Sequence, residues 1–500
     1  LSPPRTGPES LFQAPGLLLA NPAGTLDQLK SLGVDRVRVF VNWNTVAPGS
    51  TATARPSGFD AADPGAYRAA NWAIYDEIVR DAVARRIGLD LTLTGPAPQW
   101  ATGKGERPGG PPGVWKPAAT EFGAFVRAVA TRYSGHYRAP GAPAPLPRVD
   151  FWAIWNEPNY GVDLAPQAVD KSTVEVSPAV YRGLLDAAWT ALHETGHGRD
   201  TILIGETAPR GVTTGDNPGN FSGMVPLRFI RALYCVDADY RPLTGQAAAI
   251  RACPTDAAGS HAFAGEHPAL FHAGGFADHP YPQGVPPNVG TPDEPDYADL
   301  PAIPRLEQVL DTVQRVYGSS TRFDIYDTEF GYQTNPPETL LRAISPTLAA
   351  DYLNWAEYIH YQDPRIKTYD QYLLTDPTSG SFATGLESPT GMPKATYFAY
   401  RMPLYLPTTS GSSGSSLVVW GCARPADVAA RETGKPQRLE LQFEAGSHGP
   451  FKTIRAVTLT NRYAYFDVDQ VFTQSGLLRA SWTEPGGRTF YSRSVTVTIR

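Results

Sequence analysis

The 500-residue chain is 42% hydrophobic and 11% aromatic, so it can build a large core and falls outside the intrinsically disordered class. Its formal net charge is −6 with the basic residues scattered, which removes the electrostatic footprint a nucleic-acid binder needs. No run approaches the roughly 18 apolar residues of a transmembrane helix, so no membrane span is expected.

A weak first strand is expected at residues 17–19, and a regular alternation follows. Short β-branched or apolar runs at residues 37–41, 89–94, 151–155, 202–205, 275–277, 323–326 and 368–373 read as strands. Helical periodicity covers residues 25–32, 72–86, 119–133, 179–194, 303–317 and 346–361 between them. Strand followed by helix, repeated every few tens of residues, argues for an α/β fold of parallel βα units. Eight such units favour a closed (β/α)8 TIM barrel over residues 1–400. Beyond it, residues 417–420, 438–443, 453–460, 465–468, 477–482 and 494–499 alternate as strands with no helix expected between them. They predict a C-terminal antiparallel β-sandwich domain over residues 401–500. The Ser/Gly tract at residues 408–416 reads either as a linker or as a hairpin loop inside that domain. The 47 glycines and 48 prolines, well above the usual share, place many stiff loops on this frame, where binding commonly resides.

Two local patterns bear on metals and redox. His193-Glu194-Thr195-Gly196-His197 matches the H-E-x-x-H zinc pattern, which needs both histidines on one face of an intact helix. Gly196 and Gly198 fall where the helix at 179–194 should end and no third ligand follows, so no metal site is expected. Cys235 and Cys253 stand eighteen positions apart in one loop-like stretch, and no CxxC pair exists. They are either a disulfide or two unrelated thiols. A bridge would restrict the unfolded chain by about 3 kcal/mol and points to an oxidising compartment. The expected location is secreted or extracytoplasmic, with any leader removed ahead of Leu1.

A (β/α)8 barrel carries its functional side chains just after the strands, at the C-terminal rim. Asn156-Glu157-Pro158-Asn159 follows the predicted fourth strand, and Asp327-Thr328-Glu329-Phe330-Gly331 follows the seventh. Glu157 and Glu329 would then face each other across the barrel mouth. Two opposed carboxylates are the machinery of glycosidic bond cleavage, and a spacing within about 6 Å is expected of a retaining mechanism. One such Glu alone would more often cap a helix or pair with an arginine. Aromatic side chains are dense on the same rim: Trp43, Trp100, Trp155, Tyr160, Phe330, Tyr332 and Tyr372. Flat rings suit the apolar faces of sugars, although most aromatics in any protein are core.

The run FWAIWNEPN, followed much later by YDTEFGY, resembles glycoside hydrolase clan A, the retaining (β/α)8 glycosidases. Trp155-Asn156-Glu157-Pro158-Asn159 is most similar to family 39, and Thr328-Glu329-Phe330-Gly331 is closer to family 5. The resemblance implies that Glu157 is the acid/base and Glu329 the nucleophile. It implies that Asn156 holds the substrate 2-hydroxyl and that Arg38, on strand two, lies beside the nucleophile. His279 and Tyr281, in Asp278-His279-Pro280-Tyr281 after the sixth strand, would hydrogen-bond near the nucleophile. The clan usually carries a tryptophan at the end of strand eight; here Tyr372 stands in Asp370-Gln371-Tyr372-Leu373 as the substitute platform, with Trp43 and Trp100 as further substrate-binding candidates. The expected activity is a retaining O-glycosyl hydrolase with a carbohydrate substrate and no cofactor. The alternative is a catalytically silent carbohydrate-binding protein on the same scaffold. The long stretch between strands five and six, with its two cysteines, is expected to wall off a pocket, which favours exo action.

Overall fold

The computed structural model describes residues 6–168, 172–212, 216–446 and 449–500. Eight parallel strands close on themselves: β1 (Glu9–Gln13), β2 (Arg36–Asn42), β3 (Gly88–Thr94), β4 (Phe151–Ile154), β5 (Thr201–Thr207), β6 (Gly275–Asp278), β7 (Ile325–Asp327) and β8 (Ile366–Tyr372). Each pairs with the next, and β8 returns to β1 with Leu11 opposite Asp370. This is the (β/α)8 barrel that the alternating pattern predicted.

Its first strand is not residues 17–19. Those leucines belong to the helix Pro15–Ala20, which a proline opens and in which only Leu18 is buried. Proline suits a first helical turn because its missing N–H has no helical partner there. The true strand is masked by polar residues that face the barrel interior. Glu9 pairs with Arg36 at 3.2 Å, and Gln13 Nε2 donates to the Thr328 carbonyl at 2.7 Å.

Strand alternation sorts β2 and β3 into two faces. Val37, Val39, Val41, Leu89, Leu91 and Leu93 join the core shared with the surrounding helices. Arg36, Arg38, Asp90 and Thr92 occupy the intervening positions, and Arg38 Nε donates to Thr92 Oγ1 at 2.9 Å inside the barrel. The interior therefore carries charge along its length, with Glu9 and Arg36 at its N-terminal end and Arg38 and Asp90 further up.

The disulfide Cys235–Cys253 is formed, with Cα atoms 5.6 Å apart. It does not sit on the rim. The stretch between β5 and β6 folds into helices Pro226–Leu233, Gly245–Ala249, Ala257–Glu266 and Ala269–His272, and both cysteines are buried among them. Arg182, from the helix Ser177–Glu194, donates to the Leu233 and Ala252 carbonyls at 2.9 and 2.7 Å and to the Cys235 sulfur at 3.2 Å. The bridge thus staples the helical layer rather than a pocket wall.

After the helix Ala395–Arg401 come β9 (Leu404–Tyr405), β10 (Ser410–Gly411), β11 (Ser415–Cys422), β12 (Gln437–Ala445), β13 (Lys452–Leu459), β14 (Tyr465–Phe472), β15 (Gly476–Thr483), β16 (Thr489–Tyr491) and β17 (Val495–Ile499). They form one sheet in the order β10-β17-β15-β12-β13, with β16 on β15, and a second in the order β14-β11-β9. Every pairing is antiparallel except β10 with β17. The Ser/Gly tract enters β10 and opens β11, so it is part of the sheets. Leu439, Leu441, Leu478 and Val497 lie at the centre of their own core.

One helix, Arg424–Thr433, interrupts these strands where none was expected. Pro425 falls in its first turn and Gly434 ends it at φ 67°, the start and stop chemistry of a helix. No helix among the described residues is long and apolar enough to cross a membrane.

Candidate active site

The site is organised around a carboxylate that the strand pattern did not single out. At the end of β5 the register against β6 shifts between Gly205 and Thr207, and Gly205 and Glu206 adopt φ values of 101° and 52°. A bulge of this kind adds a residue to one strand and re-aims a side chain. Here it turns Glu206 into the barrel, where it is fully buried. Its Oε2 accepts from Arg38 Nη2 at 2.6 Å, from His279 Nε2 at 2.9 Å and from Thr328 Oγ1 at 2.8 Å. Burial alone would push Glu206 up, but Arg38 and His279 outweigh it and hold the carboxyl below its usual range. The available signal was Gly205-Glu206-Thr207, a carboxylate at a strand end preceded by the glycine a bulge prefers.

Around Glu206 the two proposed catalytic carboxylates are set. Glu329 Oε1 accepts from Arg38 Nη1 at 2.7 Å and its Oε2 from the Tyr281 hydroxyl at 3.0 Å, so each oxygen has one fixed donor. Glu157 Oε1 lies 2.9 Å from His279 Nδ1. Trp155 and Glu157 both have positive φ, at 72° and 35°. This left-handed turn off β4 brings a side chain back over the barrel mouth. Asn156 Oδ1 accepts from Arg38 Nη2 at 3.1 Å, and its Nδ2 reaches Asp163 at 3.4 Å.

His279 bridges two carboxylates, Glu157 through Nδ1 and Glu206 through Nε2, so both ring nitrogens must carry a proton to satisfy them. Burial disfavours that charge, but Glu329, Glu157 and Glu206 together prevail and hold the imidazole well above its usual range. One oxygen each of Glu157 and Glu329 and a ring nitrogen of His279 lie within 4.8 Å of one another. That clustering resembles a metal-ligand set, yet the donors of Arg38, Tyr281 and His279 already occupy these carboxylates.

A cavity of about 390 Å³ opens over the two carboxylates. Tyr160, Arg210, Tyr281, Gln283, Gln333, Arg342, Tyr372 and Phe382 help to line it. Phe382 was missed: it follows β8 in a Ser/Gly-rich loop with no pattern to mark it. It packs edge-on against Tyr281 and Tyr372, with ring centroids 5.2 and 5.8 Å away. Of the stretch between β5 and β6, Ala208, Pro209 and Arg210 reach the cavity, so its helical part does not form the expected wall.

Arg38, Asn156, Glu157, His279, Tyr281, Glu329 and Tyr372 are thus brought together. Trp43 and Trp100 are not. Trp43 is fully buried and stacked on Phe125 at 5.7 Å, and Trp100 meets it edge-on at 6.3 Å while donating to the Pro48 carbonyl. Both point back into the packing between barrel and helices, and neither lines the cavity. Trp155, Phe330 and Tyr332 are likewise core.

The H-E-x-x-H residues diverge as expected from the glycines. The helix ends at Glu194, which pairs with Arg127. His193 Nδ1 donates to the Trp189 carbonyl, whereas His197 lies buried between Asp200 and the Ala130 carbonyl at 2.6 and 2.9 Å.

No family model matches this chain, and no curated protein matches it. Among solved structures it is similar to a family 1 β-glucosidase from Thermotoga maritima, at 15% identity over 74% of this chain and 81% of that one, with a TM-score of 0.41. An exo-β-1,4-mannosidase from Opitutaceae bacterium strain TAV5 matches at 14% identity over 78% and 58%, with a TM-score of 0.42. An endo-β-1,4-mannanase from Thermotoga petrophila matches at 9% identity over 99% and 98%, with a TM-score of 0.39. The barrel described above rests on this chain's own strand pairing.

Proposed function

We propose that the protein is a glycoside hydrolase that retains configuration through a covalent glycosyl-enzyme. The observation that carries this reading is the pair of carboxylates, Glu157 and Glu329, with oxygens within 4.8 Å at the mouth of the barrel. Retaining enzymes need their two carboxyl groups about 5–5.5 Å apart, whereas inverting enzymes leave about 6.5–9.5 Å for a water. The unequal surroundings of the two groups support unequal roles. Glu329, oriented by Arg38 and Tyr281, is the nucleophile that attacks the anomeric carbon. Glu157, the more exposed of the two, protonates the departing oxygen and then takes a proton from the incoming water. Arg38, Asn156 and His279 tie both to the buried Glu206 and fix their separation. The small cavity, about 390 Å³, favours action on a short terminal unit, and the disulfide favours a secreted or extracytoplasmic location.

The two glutamates should fail differently when replaced. Glu157→Ala should keep much of its first-step rate on a dinitrophenyl glycoside, whose leaving group needs no proton, and lose about 10²–10⁴-fold on an unactivated sugar. Azide needs no base, so it should restore turnover in Glu157→Ala and yield a glycosyl azide of retained configuration. Glu329→Ala should lose activity on every substrate, and any azide product should be inverted. Equal losses on both substrate types, with azide changing neither variant, would refute the assignment of roles; a wild type that cleaves no glycoside would favour the silent carbohydrate-binding alternative.

A further inference from the structure

The cavity over Glu157 and Glu329 has an acidic floor and a basic wall. Arg210, three residues beyond β5, and Arg342, in the segment after β7, both line it. Arg210 Nη2 donates to the Tyr281 carbonyl; among the described residues its buried Nε has no partner and the nearest carboxylate oxygen, on Asp299, is 3.9 Å away. Arg342 donates through Nε to Gln333 at 2.6 Å and forms no ion pair among the described residues. Neighbouring arginines in the helical layer are treated differently. Arg228, Arg231 and Arg251 each hold a carboxylate at 2.7, 2.6 and 2.7 Å. Burial pulls the Arg210 pKa below its usual range and the nearby Arg342 adds to this, with Asp299 only partly offsetting them. Two guanidiniums sharing one cavity without close counter-ions are stabilised by any anion that enters between them.

We infer that Arg210 and Arg342 form a subsite for an anionic substituent on the substrate sugar, the carboxylate of a hexuronate or a sulfate ester. This rests on the glycosidase reading and specifies its substrate class. A guanidinium presents parallel N–H donors that match the paired oxygens of either group. The placement is also constrained. Arg210 is held by the main-chain carbonyl of Tyr281, whose hydroxyl lies 3.0 Å from Glu329. One tyrosine side chain therefore separates the cation from the nucleophile, which puts the anionic group on the sugar at the reacting centre or on its immediate neighbour. Gln283 and Gln333 add amide groups to the same wall.

The test compares kcat/KM for 4-nitrophenyl glucuronide, 4-nitrophenyl glucoside and its 6-sulfate, each as both anomers, in the wild type, Arg210→Gln and Arg342→Gln. It is paired with calorimetric binding of D-glucuronate, D-glucose 6-sulfate and D-glucose. The wild type should favour one charged substrate over the neutral one by about tenfold or more, and that ratio should collapse toward one in both variants. Whether the glucuronide or the sulfate is preferred tells which anion is meant. A brace for the Tyr281 loop would instead lower all substrates together and leave the ratio unchanged. Preference for the neutral glycoside, or a ratio unmoved in both variants, overturns the subsite and leaves the hydrolase reading standing. If no glycoside is cleaved, tighter binding of a charged sugar than of glucose, lost in the variants, upholds the subsite while the hydrolase reading fails for gluco-configured glycosides. Equal or weaker binding of both charged sugars overturns the subsite as well.

Discussion

His279 touches three carboxylates, and its charge is the hinge of the site's electrostatics. Its folded pKa is raised, so protonation contributes stability that is fully present below the usual imidazole value near 6.5 and is lost as pH rises through the folded value. Glu206 runs the other way: its folded pKa is lowered, so its contribution is present above 4.5 and is lost as pH falls through the lower folded value. Between those limits the imidazolium and carboxylate are both charged and paired. The destabilisation caused by His279→Gln should accordingly be greatest near pH 6 and shrink as pH climbs into the alkaline range. Paired thermal melts of wild type and variant across that range measure it, and a difference that does not change with pH would contradict a charged His279. At this same scale the aromatic reading failed for Trp43 and Trp100. A position after a strand places the backbone at the rim, but the direction of a ring is set by what it packs on, here Phe125 and its neighbours.

Most of the barrel was legible because its strands are short apolar runs and its helices are periodic. The exceptions share a cause. β1 carries polar residues inward, so its alternation looks like a loop. Glu206 depends on a bulge, and a bulge is a matter of pairing between two strands that one strand's sequence does not record. Gly205 makes that element testable. A Cβ there would lie 2.6 Å from the Ala277 carbonyl oxygen, at a φ of 101° that side chains rarely adopt. Gly205→Ala should cost about 1–3 kcal/mol in denaturant unfolding and lower kcat more than that loss of folded protein explains, because Glu206 is displaced from Arg38 and His279. Full activity in the folded variant would show that the bulge does not position Glu206. The helix Arg424–Thr433 was missed for a simpler reason: ten residues between strands were read by the texture around them, although Pro425 and Gly434 mark its two ends.

Across the whole molecule, the C-terminal sheets are tied to the barrel by buried polar and aromatic contacts. Glu357, on the helix Pro346–Gln362, accepts from Arg424 at 2.5 Å and from the Tyr465 hydroxyl at 2.7 Å, and Tyr361 packs with Trp420 and Tyr465. The same helix carries His360, whose Nε2 lies 2.9 Å from Asp327 at the end of β7, two residues before Glu329. The sheets thus brace the helix that anchors the strand leading to Glu329, the proposed nucleophile. The proposed function requires that Glu329 become covalently glycosylated. Glu157→Ala, which lacks the base for the second step, should accumulate that species when given a dinitrophenyl glycoside that the wild type cleaves. Intact-mass measurement followed by peptide mapping should find one added glycosyl unit, carried on the peptide that contains Glu329. Substrate consumed with the protein mass unchanged throughout, or the sugar found on any other residue, would contradict the account.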